Sequence, residues 1–279
     1  MNPEKINLIR HFDDVDNLRL YDRDAILMPD QEYKAEAIAE ELYTEIKRDG
    51  EKAVMFITSP RIRAKDSAKM IADSLLRIDN SLKVRFSVND DLRVIDQGSF
   101  IIPEDYKEGD KYEGLILAGK AFSKETHGSD STGGVDNYNY RFGDPVLLAD
   151  GTFKYPELSN FFERYGETYK ELLIRIYRLV IKTYEKLDKM NGGTKLVVIT
   201  HGQPSQIFKD LKKAAQMIKN KEIKYTEGEL AKLCWEIYKK RDNSEKVTGR
   251  LDTLSLDELS DPDMIDLLKK EINYLEKYE

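Results

Sequence analysis

The sequence predicts an α/β protein in which a mostly parallel central sheet carries helices on both faces. Three observations predict it. Short apolar runs of strand length alternate with longer segments whose apolar residues recur at helical spacing. The runs are continuous rather than alternating, as buried parallel strands are. Two of the three histidines fall directly after such runs, and ligands of open α/β sheets bind beyond the carboxyl ends of their strands.

The elements follow in order. Lys5-Ile6-Asn7-Leu8-Ile9 is a short apolar strand, followed by an Asp-rich polar loop over 12–30. Residues 31–48 carry Ala35, Ile38, Ala39, Leu42 and Ile46 on one helical stripe, and Asp49-Gly50 stops that helix. Ala53-Val54-Met55-Phe56-Ile57 reads as a buried strand, and Thr58-Ser59-Pro60 leads into a second helix over about 61–76. Val84-Arg85-Phe86 is a third, shorter strand. A long helix over 167–187 has Leu172, Leu173, Ile176, Leu179 and Val180 on one stripe. After Gly192-Gly193, Lys195–Thr200 is the fourth strand and 203–218 a further helix.

Two segments depart from the alternation. Residues 98–160 are polar and rich in loop formers, and a stretch of that length is usually functional; a lid over the pocket is the expectation. Residues 219–279 read as a charged helical extension, in which 265–278 suits an amphipathic helix lying on the body or against a partner. The expected organisation is one α/β domain over 1–218, with the insert at 98–160 and the helical extension at 219–279 packed on the same domain.

Composition narrows the class. Lys plus Arg number 45 and Asp plus Glu 52, for a net charge of −7. A chain of that balance has no general attraction for a polyanion, which argues against a nucleic-acid binder. Its 279 residues suffice to bury roughly three quarters of the unfolded surface, with no need of disulfide or metal. Cys234, the one cysteine, makes no internal disulfide and no thiolate metal cluster; beside Trp235 in a helical stretch, it is expected as a packed apolar side chain. The first residues read directly into a strand rather than as a signal peptide, and no run is long enough for a membrane span. Cytoplasm is the expected compartment.

Arg10 and His11 follow the first strand, and His201 follows the fourth. Two imidazoles and a guanidinium, with no carboxylate cluster or thiol, describe an anion site better than a metal site, because arginine matches phosphate oxygens with a planar fork. A histidine among cations is a candidate nucleophile toward a phosphoryl group. Ser59-Pro60-Arg61-Ile62-Arg63 adds two guanidiniums at a second strand–helix junction.

Taken together these motifs resemble the histidine phosphatase, or phosphoglycerate mutase-like, superfamily. Leu8-Ile9-Arg10-His11 is similar to its L-I-R-H signature, Leu27 and Ala35 to its L-T…Q-A segment, and Thr58-Ser59-Pro60-Arg61-Ile62-Arg63-Ala64 to T-S-P-L-x-R-A with Arg61 in place of the Leu. Ser67-Ala68 matches the T-A one turn later, Gly166-Glu167-Thr168 the G-E-S before the long helix, and Val197–Gly202 the V-V-x-[ST]-H-G motif. The resemblance runs from Lys5 to about Lys213, in the family's order. It implies a phosphoglycerate mutase-like three-layer α/β/α sandwich and a metal-independent phosphatase. His11 would be the phosphorylated nucleophile, and Arg10 and Arg63 would hold the phosphoryl oxygens. His201 would stabilise transition-state charge, with Asn17 adding a hydrogen bond. No cofactor is implied, and neither nucleic acid nor membrane. The implied partner is a small phosphorylated metabolite, with self-association or a protein partner at the C-terminal helices left open.

The chain also leaves the family's pattern. R-H-G-E-[ST] is here Arg10-His11-Phe12-Asp13-Asp14, which puts Asp14 where a small hydroxyl commonly meets substrate. The glutamate of L-R-E-x-D-x-G, which protonates the leaving oxygen, is Val94. Asp96, two residues on and on the same face of an extended segment, is a candidate donor, alongside Asp13, Asp14 or an acid of the insert. A dedicated acid typically contributes about 10²–10⁴-fold. Glu167 is expected at the pocket rim. His127 and Arg61 are expected at the surface or facing substrate. The alternatives to a phosphatase are a mutase that returns the phosphoryl group to substrate, or a weakly catalytic member that binds a phosphorylated ligand or a partner.

Overall fold

The computed structural model describes residues 5–13, 26–94, 169–189, 193–220, 226, 228–239, 251–255 and 262–277, with short strand segments at 99–100, 146–147, 153–154 and 162–164. The chain divides into two units, residues 1–94 with 173–279, and residues 95–172.

In the first unit, β1 (Lys5–Arg10), β2 (Ala53–Thr58), β3 (Lys83–Val88), β8 (Thr194–Thr200) and β9 (Leu251–Ser255) form one sheet in the order β3-β2-β8-β1-β9. The first four are parallel; β9 runs antiparallel to β1 at the edge. The fold class expected from the sequence is thus the one observed. In the second unit, β4 (Ser99–Phe100) pairs antiparallel with β7 (Phe162–Arg164), and β5 (Val146–Leu147) with β6 (Phe153–Lys154). These pairs lie in or next to the stretch read as loop; most of 98–160 lies outside the described residues.

Helices α1 (Glu32–Asp49) and α2 (Ile62–Ile78) pack on one face of the large sheet. Their buried stripes, Ile38, Leu42 and Ile46 with Ala64, Ala68, Ile71 and Leu75, meet Ile9, Val54, Phe56, Val197 and Ile199. The alternate strand residues Ile6, Leu8, Leu196 and Val198 are also buried, because the opposite face is covered too. Ala35, Ala39, Ala64 and Ala68 lie in the same core, and the three-residue connection from β2 to Ile62 keeps the head of α2 at the ends of the strands. Gly50, with φ 68°, closes α1 in the left-handed conformation and returns its N–H to the Ile46 and Lys47 carbonyls.

Further along are α3 (Tyr169–Lys189), α4 (Gly202–Lys219), α5 (Glu229–Lys239) and α6 (Pro262–Lys277). The tail, expected as a helical extension, also supplies the edge strand β9. Cys234 on α5 is fully buried, as expected for a packed side chain. Its thiol lies 3.7 Å from the Tyr177 hydroxyl of α3, and burial pushes its pKa up to about 12. No helix among the described residues is long and apolar enough to cross a membrane.

Gly228, immediately before α5, packs that helix's start against α6. Its φ is +85°, its N–H bonds the Glu271 carboxylate at 2.8 Å, and a Cβ there would stand 2.5 Å from Tyr274 Cε1. Gly228→Ala therefore meets both a disfavoured backbone and a ring with no room. We expect a loss of more than about 1 kcal/mol in a urea titration; an unchanged midpoint would contradict this packing.

Candidate active site

The register of the sheet assembles the site. Arg10 pairs with Thr200, and Thr58 with Ile199, so the three strands end level. One further hydrogen bond on each side carries the ladder past the strand ends: His11 N–H to the Thr200 carbonyl at 3.0 Å, and Ser59 N–H to the Ile199 carbonyl at 3.0 Å. His11, Ser59 and His201 thus leave adjacent strands side by side. The rings of His11 and His201 lie 5.0 Å apart between centroids, tilted by 58°.

Each group is held from behind. The neutral His11 ring donates Nδ1–H to the Phe12 carbonyl at 2.6 Å, which places its basic lone pair on Nε2. The Phe12 N–H donates to Ser67 Oγ at 3.0 Å, and the Ser67 hydroxyl donates to the Arg63 carbonyl at 2.7 Å. One serine of α2 therefore ties the histidine loop to the turn that carries Arg63. The side chain of Arg63 reaches forward, its Nε–H donating to His201 Nδ1 at 3.5 Å. Arg10 lies against the head of α4, where a Cβ on Gly202 would stand 3.6 Å from its Cζ.

The electrostatics favour neutral imidazoles. Burial first, then the Arg63 charge, lowers the His11 pKa from 6.5 to about 3; the Phe12 carbonyl and Asp13 oppose this, and Arg10 adds to it. Burial, and then His11, Arg63, Arg61 and Arg10, hold His201 well below its ordinary value. The site thus offers deprotonated nitrogen and fixed positive charge at neutral pH.

This has a consequence for stability. Between pH 6.5 and about 3 the unfolded chain binds a proton at position 11 that the folded chain refuses. The stability contributed by neutral His11 is complete above the unfolded value and is lost as pH falls through the folded one. From pH 7 to pH 5 we expect His11→Asn to lose about 2 kcal/mol less than the wild type. Urea midpoints at the two pH values check this, and equal losses would refute it.

No family model matches the chain, and no curated protein matches it. Solved structures similar to it include a phosphoglycerate mutase from Bacillus anthracis, at 16% identity and TM-score 0.47, over 80% of this chain and 83% of that one. A mycobacterial hydrolase matches at 18% and 0.44 over 75% and 80%. A mycobacterial glucosyl-3-phosphoglycerate phosphatase matches at 18% and 0.42 over 75% and 81%.

Of the residues singled out from sequence, the structure brings Arg10, His11, Arg63 and His201 together. Asn17, Asp14, Asp96, Glu167 and His127 lie outside the described residues. Asp13, one of the alternative acids, forms an ion pair with Lys34 of α1. Arg61 caps α2 with extended backbone, close enough to weigh on His201. Phe12 does not crowd the pocket: its ring is fully buried in the core beneath α1 and α2, and its backbone is not among those with positive φ. A glycine is not needed there. The chain toward Asp96 is also tied down. Thr200 Oγ1 donates to the Leu92 carbonyl at 2.8 Å, and Arg175 of α3 donates to the Asp91 and Arg93 carbonyls at 2.6 and 3.1 Å. Ser59, Ser67 and Arg175 were not singled out from sequence. Ser59 and Ser67 stand inside the matched motifs, which is the signal that could have found them; Arg175 carries none.

Proposed function

We propose that the chain is a phosphatase that hydrolyses a phosphomonoester through a phosphohistidine on His11, with no metal ion. The observation that supports this reading most is the state of His11. Its Nδ1–H is committed to the Phe12 carbonyl at 2.6 Å, its ring is neutral, and Arg63 and Arg10 weigh on it electrostatically.

In the first step the Nε2 lone pair attacks phosphorus. The N–P bond forms as the ester P–O bond breaks, and the leaving oxygen departs with a proton from an acid. Asp96 is the candidate for that acid. In the second step water attacks the phosphohistidine, the N–P bond breaks, and inorganic phosphate leaves. Phosphoryl transfer requires mainly positioning and positive charge around the equatorial oxygens, which Arg10 and Arg63 supply, with neutral His201 beside them. The substrate class is a small phosphorylated metabolite.

Release of inorganic phosphate from p-nitrophenyl phosphate in EDTA tests the reading. The expected result is turnover that survives the chelator. Turnover abolished by EDTA and restored by a divalent cation would contradict it. Isomerisation of a phosphoglycerate without net phosphate release would assign a mutase instead.

A further inference from the structure

Two hydrogen bonds decide which nitrogen of His201 carries the proton. The Nε–H of Arg63 can only donate, and it meets His201 Nδ1 at 3.5 Å. Nδ1 is therefore the acceptor, and in the neutral ring the hydrogen sits on Nε2. That nitrogen lies 2.8 Å from Ser59 Oγ. Ser59 Oγ also takes the Arg61 backbone N–H, at 3.3 Å, so its acceptor capacity is directed by two N–H groups. His201 and Ser59 are both fully buried, so bulk water does not replace either partner. The backbone of each is fixed as well: Ser59 N–H by the Ile199 carbonyl, and the His201 carbonyl by Ser205 N–H, both at 3.0 Å.

We propose that Ser59 is a positioning residue, whose hydroxyl accepts Nε2–H of His201 and thereby holds that ring in one tautomer and one orientation, with Nδ1 turned toward Arg63. This rests on the phosphoryl-transfer reading of the pocket only for its consequence in turnover; the tautomer itself does not. Under that reading, a phosphoryl oxygen that draws the Arg63 N–H away leaves Nδ1 facing the incoming group, to which it donates only after taking up a proton. A histidine misplaced by about 1 Å costs on the order of 10²-fold, so Ser59→Ala is expected to lower kcat/KM by up to that factor and to move the pH profile. Ser59→Thr keeps the hydroxyl and is expected to restore both.

The direct test is nitrogen NMR of the ligand-free protein labelled with ¹⁵N-histidine, which has only three rings to resolve. In the wild type, His201 should show a protonated Nε2 and an unprotonated Nδ1. In Ser59→Ala this signature should broaden into a mixture, and in Ser59→Thr it should return. A wild-type His201 protonated on Nδ1 would overturn the proposal even if no variant folded. So would a Ser59→Ala protein with the wild-type signature and pH profile. Loss of the tautomer in Ser59→Ala alongside a wild type that releases no phosphate would sustain the positioning role and remove the phosphatase reading.

Discussion

Under the proposed mechanism, His11→Asn is expected to lose phosphate release while the protein stays folded. Asparagine retains a side-chain N–H for the Phe12 carbonyl, the bond His11 makes at 2.6 Å, and it presents no nucleophile to phosphorus. Arg10, Arg63 and His201 remain to bind the phosphoryl group, so binding survives better than turnover. Removing the nucleophile of a covalent mechanism typically costs on the order of 10⁴- to 10⁶-fold in kcat. The expected outcome is a variant that binds vanadate or phosphate, measured by calorimetry, and turns over p-nitrophenyl phosphate at background. The pH dependence sharpens this. With a folded pKa of about 3, His11 is deprotonated throughout the working range. The wild-type rate should therefore show no loss near pH 6.5 from protonation of its nucleophile. Residual turnover in His11→Asn above a tenth of the wild-type rate would place the nucleophile elsewhere.

Lys195→Met should produce the largest loss of stability. Lys195 stands at the start of β8, its side chain 2% exposed, with Nζ at 2.9 Å from Glu45, 3.0 Å from Asp49 and 3.8 Å from Glu51. Asn7 of β1 donates to the same Glu45 at 3.1 Å. Burial alone would depress the ammonium's pKa. The hydrogen bonds to Glu45 and Asp49 and the Glu51 charge outweigh this and raise it. Methionine preserves the stem and removes the charge, which leaves three carboxylates facing one another. Removing one partner of a buried ion pair costs about 3–5 kcal/mol. The lower end applies here because water reaches Asp49, 30% exposed. A loss of about 3 kcal/mol lowers Tm by roughly 5 °C in a chain of this size. The sign with pH follows from Asp49, which the Arg48 hydrogen bond, helped by Lys195, lowers from 3.8 to about 2. That stabilisation is present above the unfolded value and lost as pH falls through the folded one. The gap between wild type and Lys195→Met should therefore narrow as pH is lowered from 7 to 3. Lys195 lies six residues before His201, roughly 20 Å along the strand, so the variant should keep its activity below its Tm.

Much of this arrangement was legible in the sequence. The inner parallel strands β1, β2 and β8 are apolar runs and each main helix carries its stripe, because burial on both faces of a sheet leaves little choice of residue; the edge strand β3 is mostly exposed and carries a weaker signal. The strand-end positions of His11 and His201 follow from the same pattern. What was not legible depends on distant pairing. Leu251-Asp252-Thr253-Leu254-Ser255 is short and lies within a charged tail; only β1, far away in sequence, makes it a strand. Lys195 has the composition of a surface residue and becomes buried because α1 lays Glu45 and Asp49 over it. Phe12 looked like a departure at the site, yet its side chain belongs to the core while only its carbonyl serves His11. Val94 occupies the position at which the motif resemblance expects a proton donor, and Asp96 lies outside the described residues.

The central claim is a covalent phosphoryl group on His11. The measurement is a base-quenched reaction with p-nitrophenyl phosphate, followed by mass analysis of the peptide that contains residue 11. The account predicts one added phosphoryl group on His11, stable in base, lost on brief acid treatment, and missing from His11→Asn. Phosphate release with no such adduct at any quench time, or an adduct on another residue, would contradict it.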